Sequence, residues 1–227
     1  MITLLITILP SIIIVAYFVK SDRFPEPSSE IIKIFLYGIV ICFPAYYLNT
    51  TLGDIYASKG IGEGLISSFL TAAPVEEILK FSVLYSLVYK MKDFNEPVDG
   101  MVYGVTVSLG FATLENIYYV YLLSDYFNST EASLAILRAF TAIPAHGVFG
   151  ATMGYFFMKY SFVKKENNLA LCMLVPILLH GAYNFFANSF FIISISIIII
   201  SWVIILKAFK RLKKSQKLKK REYEKKI

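Results

Sequence analysis

The stretch LISSFLTAAPVEEILKFSVLYSLVYK, residues 65–90, is long and apolar enough to cross a bilayer, yet it carries Glu76, Glu77 and Lys80 near its middle. A helix hydrophobic on all sides is either buried in a large core or placed in lipid, and a short chain has no such core to offer. Ionisable side chains at bilayer depth cost about 2.5–3.5 kcal/mol each on insertion scales, so a helix that keeps several has usually turned them toward a cavity. This stretch therefore reads as a membrane helix with a polar site.

The rest of the chain follows the same pattern. Among its 227 residues 57% are hydrophobic, the mean hydropathy is +0.63, and the two histidines, His146 and His180, both lie inside apolar runs, as does Glu115. A soluble domain of this length is close to half apolar and alternates its faces. We expect an all-α polytopic transmembrane bundle of about seven spans, near 2–19, 31–48, 65–90, 100–123, 133–159, 169–187 and 189–206. Each is near or above the roughly 17–25 residues needed to cross. Residues 1–206 form one membrane domain and 207–227 a basic tail. The first span has no basic residue ahead of it and no small-residue cleavage site, so it reads as a retained helix.

Charge orients the bundle. Lys20, Arg23 and Lys33 flank the first joint; Lys90 and Lys92 lie in the third; Lys159, Lys164 and Lys165 lie in the fifth. The second joint has only Lys59 and the fourth, around Asp125 to Thr130, has none. The positive-inside rule then puts the N-terminus outside and the C-terminus in the cytoplasm. The net charge of +6 belongs to the tail, which holds 11 of the 22 Lys and Arg residues. A basic segment directly after a span is read as a cytoplasmic anchor on anionic lipid. It lacks the interleaved aromatics of a nucleic-acid binder, so no nucleic-acid partner is expected. Cys42 and Cys172 sit within spans as small apolar side chains and imply neither a disulfide framework nor a CxxC metal site.

In this orientation Glu76, Glu77 and His146 fall near mid-span, with Glu115 and His180 about a turn toward the outer side. Four helices thus deliver polar groups to one level. Pro74, Pro144 and Pro176 each precede one of these groups by two to four residues. Proline frees backbone carbonyls in a membrane helix and is tolerated where protein or water satisfies them. Pro74 also suits the start of a half-helix whose first turn holds Glu76 and Glu77, where the dipole favours carboxylates. Gly100 with Gly104, and Gly150 with Gly154, are GxxxG pairs that allow close helix packing. The chain has no convincing internal repeat of the kind that builds inverted-repeat transporters.

Glu76 and Lys80 are four apart and share a helix face, while Glu77 points about 100° away. One carboxylate is then held by the lysine and the other faces the cavity, an arrangement suited to a general base. Glu115 and Asn116 add a carboxylate and an amide; Asn116 either donates to an oxyanion or bridges helices. His180 and Asn184 share a face, as residues four apart do. Together these groups supply a water-activating base and oxyanion donors, the parts of peptide hydrolysis. His146, His180 and Glu115 also offer enough donors for a zinc site with one open position. HExxH is absent, as is any serine-triad pattern, so either no metal or a divalent metal remains compatible. A proton-coupled transporter is the first rival, because intramembrane carboxylates and histidines also make proton relays. A non-catalytic scaffold is the second.

Glu76-Glu77-x-x-Lys80, Phe111-x-x-x-Glu115-Asn116, His146 and His180-Gly181-x-Tyr183-Asn184 resemble, as an ordered set, the motifs of PrsW-type intramembrane proteases. The run from Pro97 to Gly104, leading into Ser108 to Asn116, belongs to the same resemblance, which covers nearly the whole chain. The family is bacterial and related to the CAAX-processing and bacteriocin-processing membrane proteases. The resemblance implies a cell-membrane endopeptidase making the first cut in a membrane-anchored anti-sigma factor, on its extracytoplasmic side, so that a sigma factor is later released. A different substrate, of the CAAX or bacteriocin-precursor kind, is the alternative within this class. It implies catalytic roles for Glu76, Glu77, His146 and His180, with Lys80, Glu115, Asn116 and Asn184 in support. The CAAX-processing relatives carry histidine where this chain has Glu115.

Overall fold

The computed structural model describes residues 1–59, 64, 67–164 and 166–224, and among these the chain is helical with no strand. Lys165 of the fifth joint, the first two residues of the 65–90 stretch and the last three of the basic tail lie outside the described residues. The helices are α1 (Ile2–Ser21), α2 (Ser28–Ser58), α3 (Ala73–Ser86), α4 (Pro97–Leu122), α5 (Glu131–Phe140), α6 (Ala142–Val163), α7 (Asn167–Ser189) and α8 (Phe191–Glu224). The seven expected spans correspond to α1, α2, the α3 unit, α4, α5 with α6, α7 and α8. Five of them, residues 2–21, 28–58, 131–163, 167–187 and 191–216, are by length and composition sufficient to cross a membrane alone.

Helix α4 is the axis of the bundle. Every residue from Val98 to Thr113 is buried, so no face of it is left for lipid. Small residues make this possible. A Cβ on Gly104 would run into the carbonyl of Gly150, and one on Gly100 into that of Gly154, so α4 and α6 meet almost backbone to backbone. Gly38 on α2 and Gly110 on α4 make the corresponding close approach on the other side, against the Val107 and Phe35 carbonyls. Lipid tails are as apolar as leucine, so such contact, rather than water exclusion, holds membrane helices together. The outer helices show the complementary pattern, exposing large apolar side chains such as Leu5, Ile13, Phe43, Ile200 and Ile204.

Two spans are interrupted where the site is built. A π-helical segment, Ser67–Ala72, runs into α3, which restarts with Pro74 in its first turn and Glu76 just behind it. The 133–159 span is two helices rather than one, parted at Thr141. Pro144 explains the break: it has no N–H for the Phe140 carbonyl, and its ring crowds that oxygen. The joint between the last two helices is also shifted. Helix α7 continues through Ser189 and the chain turns at Phe190 alone. Helix α8 then runs without interruption into the basic tail, and its buried Gln216 donates to Asp22 Oδ1 (2.8 Å) and Glu96 Oε2 (2.7 Å).

Candidate active site

The two interrupted spans and α4 and α7 bring their ionisable groups to one place. Lys80 is wholly buried, and its Nζ lies 2.7 Å from Glu77 Oε1, 3.5 Å from Glu76 Oε2 and 3.1 Å from His146 Nδ1. It also sits 4.3 Å from the centroid of the Phe111 ring. Buried charges persist only when paired, and three donors here meet three acceptors. The closer partner of Lys80 is Glu77, not the Glu76 that helical spacing favours. Glu76 instead lines a cavity of about 990 Å³ that is also walled by Glu115, Arg138, His146, His180 and Asn184.

Hydrogen-bond chemistry fixes both imidazoles. An ammonium only donates, so His146 Nδ1 accepts from Lys80; its Nε2 then carries the proton and donates to Glu115 Oε2, 3.1 Å away. His180 Nδ1 lies 2.9 Å from Glu77 Oε1 and donates to it. In the neutral ring that leaves His180 Nε2 as an acceptor, 4.0 Å from Glu76 Oε2. The ring is held from its other face by Phe149, stacked at 4.9 Å between centroids and 18° between planes.

Glu115 stands behind His146 rather than among the groups around Lys80. Its Oε2 also accepts from Arg138 Nη2 at 2.8 Å. Asn116 is buried away from the cavity: its Nδ2 donates to the Thr7 carbonyl of α1 (2.9 Å) and its Oδ1 accepts from Arg138 Nε (2.6 Å). Of its two expected roles, helix bridging is the one this geometry fits. Arg138 was not singled out in the sequence. It is the only Lys or Arg between Lys92 and Lys159, and a lone cation within an apolar run was the available signal.

Glu76, Glu77, His146 and His180 each place one ligand atom within 4.8 Å of the others. Glu77 Oε2, buried, has no hydrogen-bond partner among the described residues. Two imidazoles and two carboxylates, one of them with an orphaned oxygen, fit a divalent cation of the zinc type in number and chemistry. Glu115 on the outer nitrogen of His146 is the kind of carboxylate that orients a metal-binding imidazole. The Lys80 ammonium draws on the same donors, Glu77 Oε1 and His146 Nδ1.

Buried carboxylates and oriented imidazoles beside a roomy cavity, deep in a bundle of membrane-spanning helices, fit an intramembrane hydrolase. Residues 26–208 match the model of the PrsW family intramembrane metalloproteases, and the chain belongs to that family. It is 38% identical over 179 residues to Protease PrsW of Geobacillus kaustophilus, covering 77% of this chain and 75% of that one. It is 36% identical over 186 residues to Protease PrsW of Clostridioides difficile, covering 80% and 77%. For Protease PrsW of Bacillus subtilis the figures are 36% over 183 residues, covering 78% and 79%. No solved structure matches the chain. The protein is thus a membrane protease, and the transporter and scaffold readings give way to it.

Proposed function

We propose that this membrane protease makes the first cut in a membrane-anchored anti-sigma factor, on the outer side of a bacterial cell membrane. The observation that carries the hydrolytic part of this reading is that Glu76 Oε2 faces His180 Nε2 across 4.0 Å at the wall of the cavity, while the substrate rests on the resemblance to the PrsW family. A water molecule held between two acceptors that far apart donates to both and presents its oxygen to a substrate carbonyl.

Glu76 takes the proton as the water oxygen bonds to the carbonyl carbon. The amide of Asn184, on the same wall as His180, donates to the oxyanion that forms. Glu76 then returns the proton to the departing amine as the C–N bond breaks. Glu77 and Lys80 do not touch the substrate; they lock His180 and His146 in place. A divalent metal, held by His146 and His180 with Glu76 or Glu77, would supply further polarisation of water and carbonyl.

The basic residues at the α1–α2, α3–α4 and α6–α7 joints support a cytoplasmic C-terminus, and the basic tail an association with anionic lipid. In that orientation the cavity wall contributed by Asn49, Tyr118, Leu122, Phe127 and Phe191 lies toward the outer face. A cut from that side follows. Purified enzyme incubated with a reconstituted single-span anti-sigma factor tests the proposal. We expect one cleavage within or beside the outer end of the substrate span, lost at least about 100-fold in Glu76→Gln. Metal analysis, with cleavage measured before and after chelator, separates metal-assisted from glutamate-only hydrolysis. Uncut substrate, or cleavage untouched by Glu76→Gln, overturns the reading.

A further inference from the structure

We infer that Arg138 is a positioning residue for this site: it holds the Glu115 carboxylate against the Nε2–H of His146, and through it the orientation of that ring. The effect on catalysis rests on the hydrolase reading above; the effect on the ring does not.

The argument starts from one oxygen. Glu115 Oε2 receives Arg138 Nη2 at 2.8 Å and faces His146 Nε2 at 3.1 Å. A guanidinium has donors only, so this oxygen is an acceptor and the ring nitrogen opposite it must donate. The guanidinium is itself fixed by two further contacts. Its Nε donates to Asn116 Oδ1 at 2.6 Å and its Cζ lies 3.9 Å from the centroid of Tyr119, while Asn116 in turn is tied to the Thr7 carbonyl at 2.9 Å. Helices α1, α4 and α5 therefore meet on one side chain.

Glu115 needs this support because its carboxyl lies on the cavity wall. Without Arg138 the side chain is free to rotate into the cavity and leave His146 Nε2 without its acceptor. The ring then has only the Lys80 contact at 3.1 Å to orient it, and its Nε2–H is left without a fixed acceptor. Lysine is a poor substitute at 138. A single ammonium does not reproduce the planar fork that reaches Glu115 and Asn116 together while lying over a ring.

The chain's two histidines make the test direct. Full-length protein labelled with ¹⁵N at histidine, in detergent micelles, gives ring nitrogen signals from only two residues, assigned with His180→Asn. The expected wild-type pattern for His146 is a protonated Nε2 and an unprotonated Nδ1. Arg138→Met and Glu115→Gln should each leave that tautomer, which Lys80 fixes, but shift the Nε2 proton upfield and speed its exchange with water as its bond to the carboxylate weakens, and combining them should add nothing. Arg138→Lys, which keeps charge and tests the fork should Arg138→Met fail to fold, should be intermediate. In cleavage assays kcat should fall about 10- to 100-fold with KM little changed, and Arg138→Met should have almost no further effect in the Glu115→Gln background. An unchanged Nε2 proton signal of His146 in folded Arg138→Met or Arg138→Lys overturns the proposal. Because the spectra need no substrate, that failure is distinct from failure of the protease reading.

Discussion

Glu77 Oε1 accepts from both His180 Nδ1, at 2.9 Å, and Lys80, at 2.7 Å, and so ties the imidazole to the ammonium in the core of the bundle. Neither Glu77 nor Lys80 has any exposed surface. Glu76, one residue earlier, is on the cavity wall instead. The two glutamates of one motif therefore have different work, and substitution should separate them.

Glu76→Gln should lower turnover by at least about 100-fold while costing less thermal stability than Glu77→Gln, because Lys80 keeps its nearer counter-ion, Glu77 at 2.7 Å. Glu77→Gln should also inactivate, but by a different route. It leaves a buried ammonium without its nearest counter-ion, which costs about 3–5 kcal/mol. Melting curves in detergent, run beside cleavage assays, check this. Adding Lys80→Met to Glu77→Gln should restore much of the lost stability and none of the activity. Equal melting temperatures for Glu76→Gln and Glu77→Gln would contradict the assignment.

Lys80 and a divalent cation draw on the same donors, so they should compete. Removing the ammonium with Lys80→Met takes a positive charge out of a low-dielectric cluster. Zinc or cobalt affinity, measured by calorimetry on metal-stripped protein, should rise by at least about tenfold. Weaker binding in Lys80→Met would mean that the lysine supports the metal donors more than it competes with a cation for them.

Much of this arrangement was legible in the sequence, and the remainder was hidden for physical reasons. Hydropathy located the spans, and the paired glycines of α4 and α6 do pack on each other. Periodicity placed Glu76 and Glu77 about 100° apart but could not say which side faced the cavity, since that depends on where α4, α6 and α7 lie. Lysine's long stem then reached both carboxylates, making the i,i+3 pair with Glu77 closer than the i,i+4 pair with Glu76. Arg138 was missed because its partners are 22 and 23 residues away on another helix. The break at Thr141 was foreshadowed by Pro144, yet proline alone does not distinguish a kink from a restart.

The glycine contacts give a test of the fold independent of chemistry. A methyl at 104 would meet the Gly150 carbonyl, and it would lie 3.0 Å from Gly154 Cα. Both obstacles are backbone, so the helices must part. Gly104→Ala should destabilise by about 1–3 kcal/mol and lower activity as α4 and α6 separate. Gly53→Ala is the control, since nothing lies within 4 Å of the added carbon. Unfolding in a mild-to-harsh detergent series should rank the two clearly, and equal effects would refute backbone-to-backbone packing.

A last prediction concerns pH at the end of the bundle that carries the basic tail. Glu26, in the α1–α2 joint, accepts from the Tyr103 hydroxyl at 2.8 Å and is 7% exposed. Burial, and then the neighbouring Asp99, push its carboxyl from the ordinary 4.5 up to about 8. The folded chain therefore binds a proton here that the unfolded chain has already released across the window between those values. Stability must then fall as pH rises through that window, the reverse of the usual behaviour of a salt-bridged carboxylate. Wild-type protein should melt lower at pH 8.5 than at pH 5.5. Glu26→Gln, which keeps a neutral side chain at every pH, should flatten that slope while leaving the melting temperature near pH 5.5 close to wild type. A slope that Glu26→Gln does not flatten would show that Glu26 does not carry that proton, its coupled neighbour Asp99 being the other group placed to hold it.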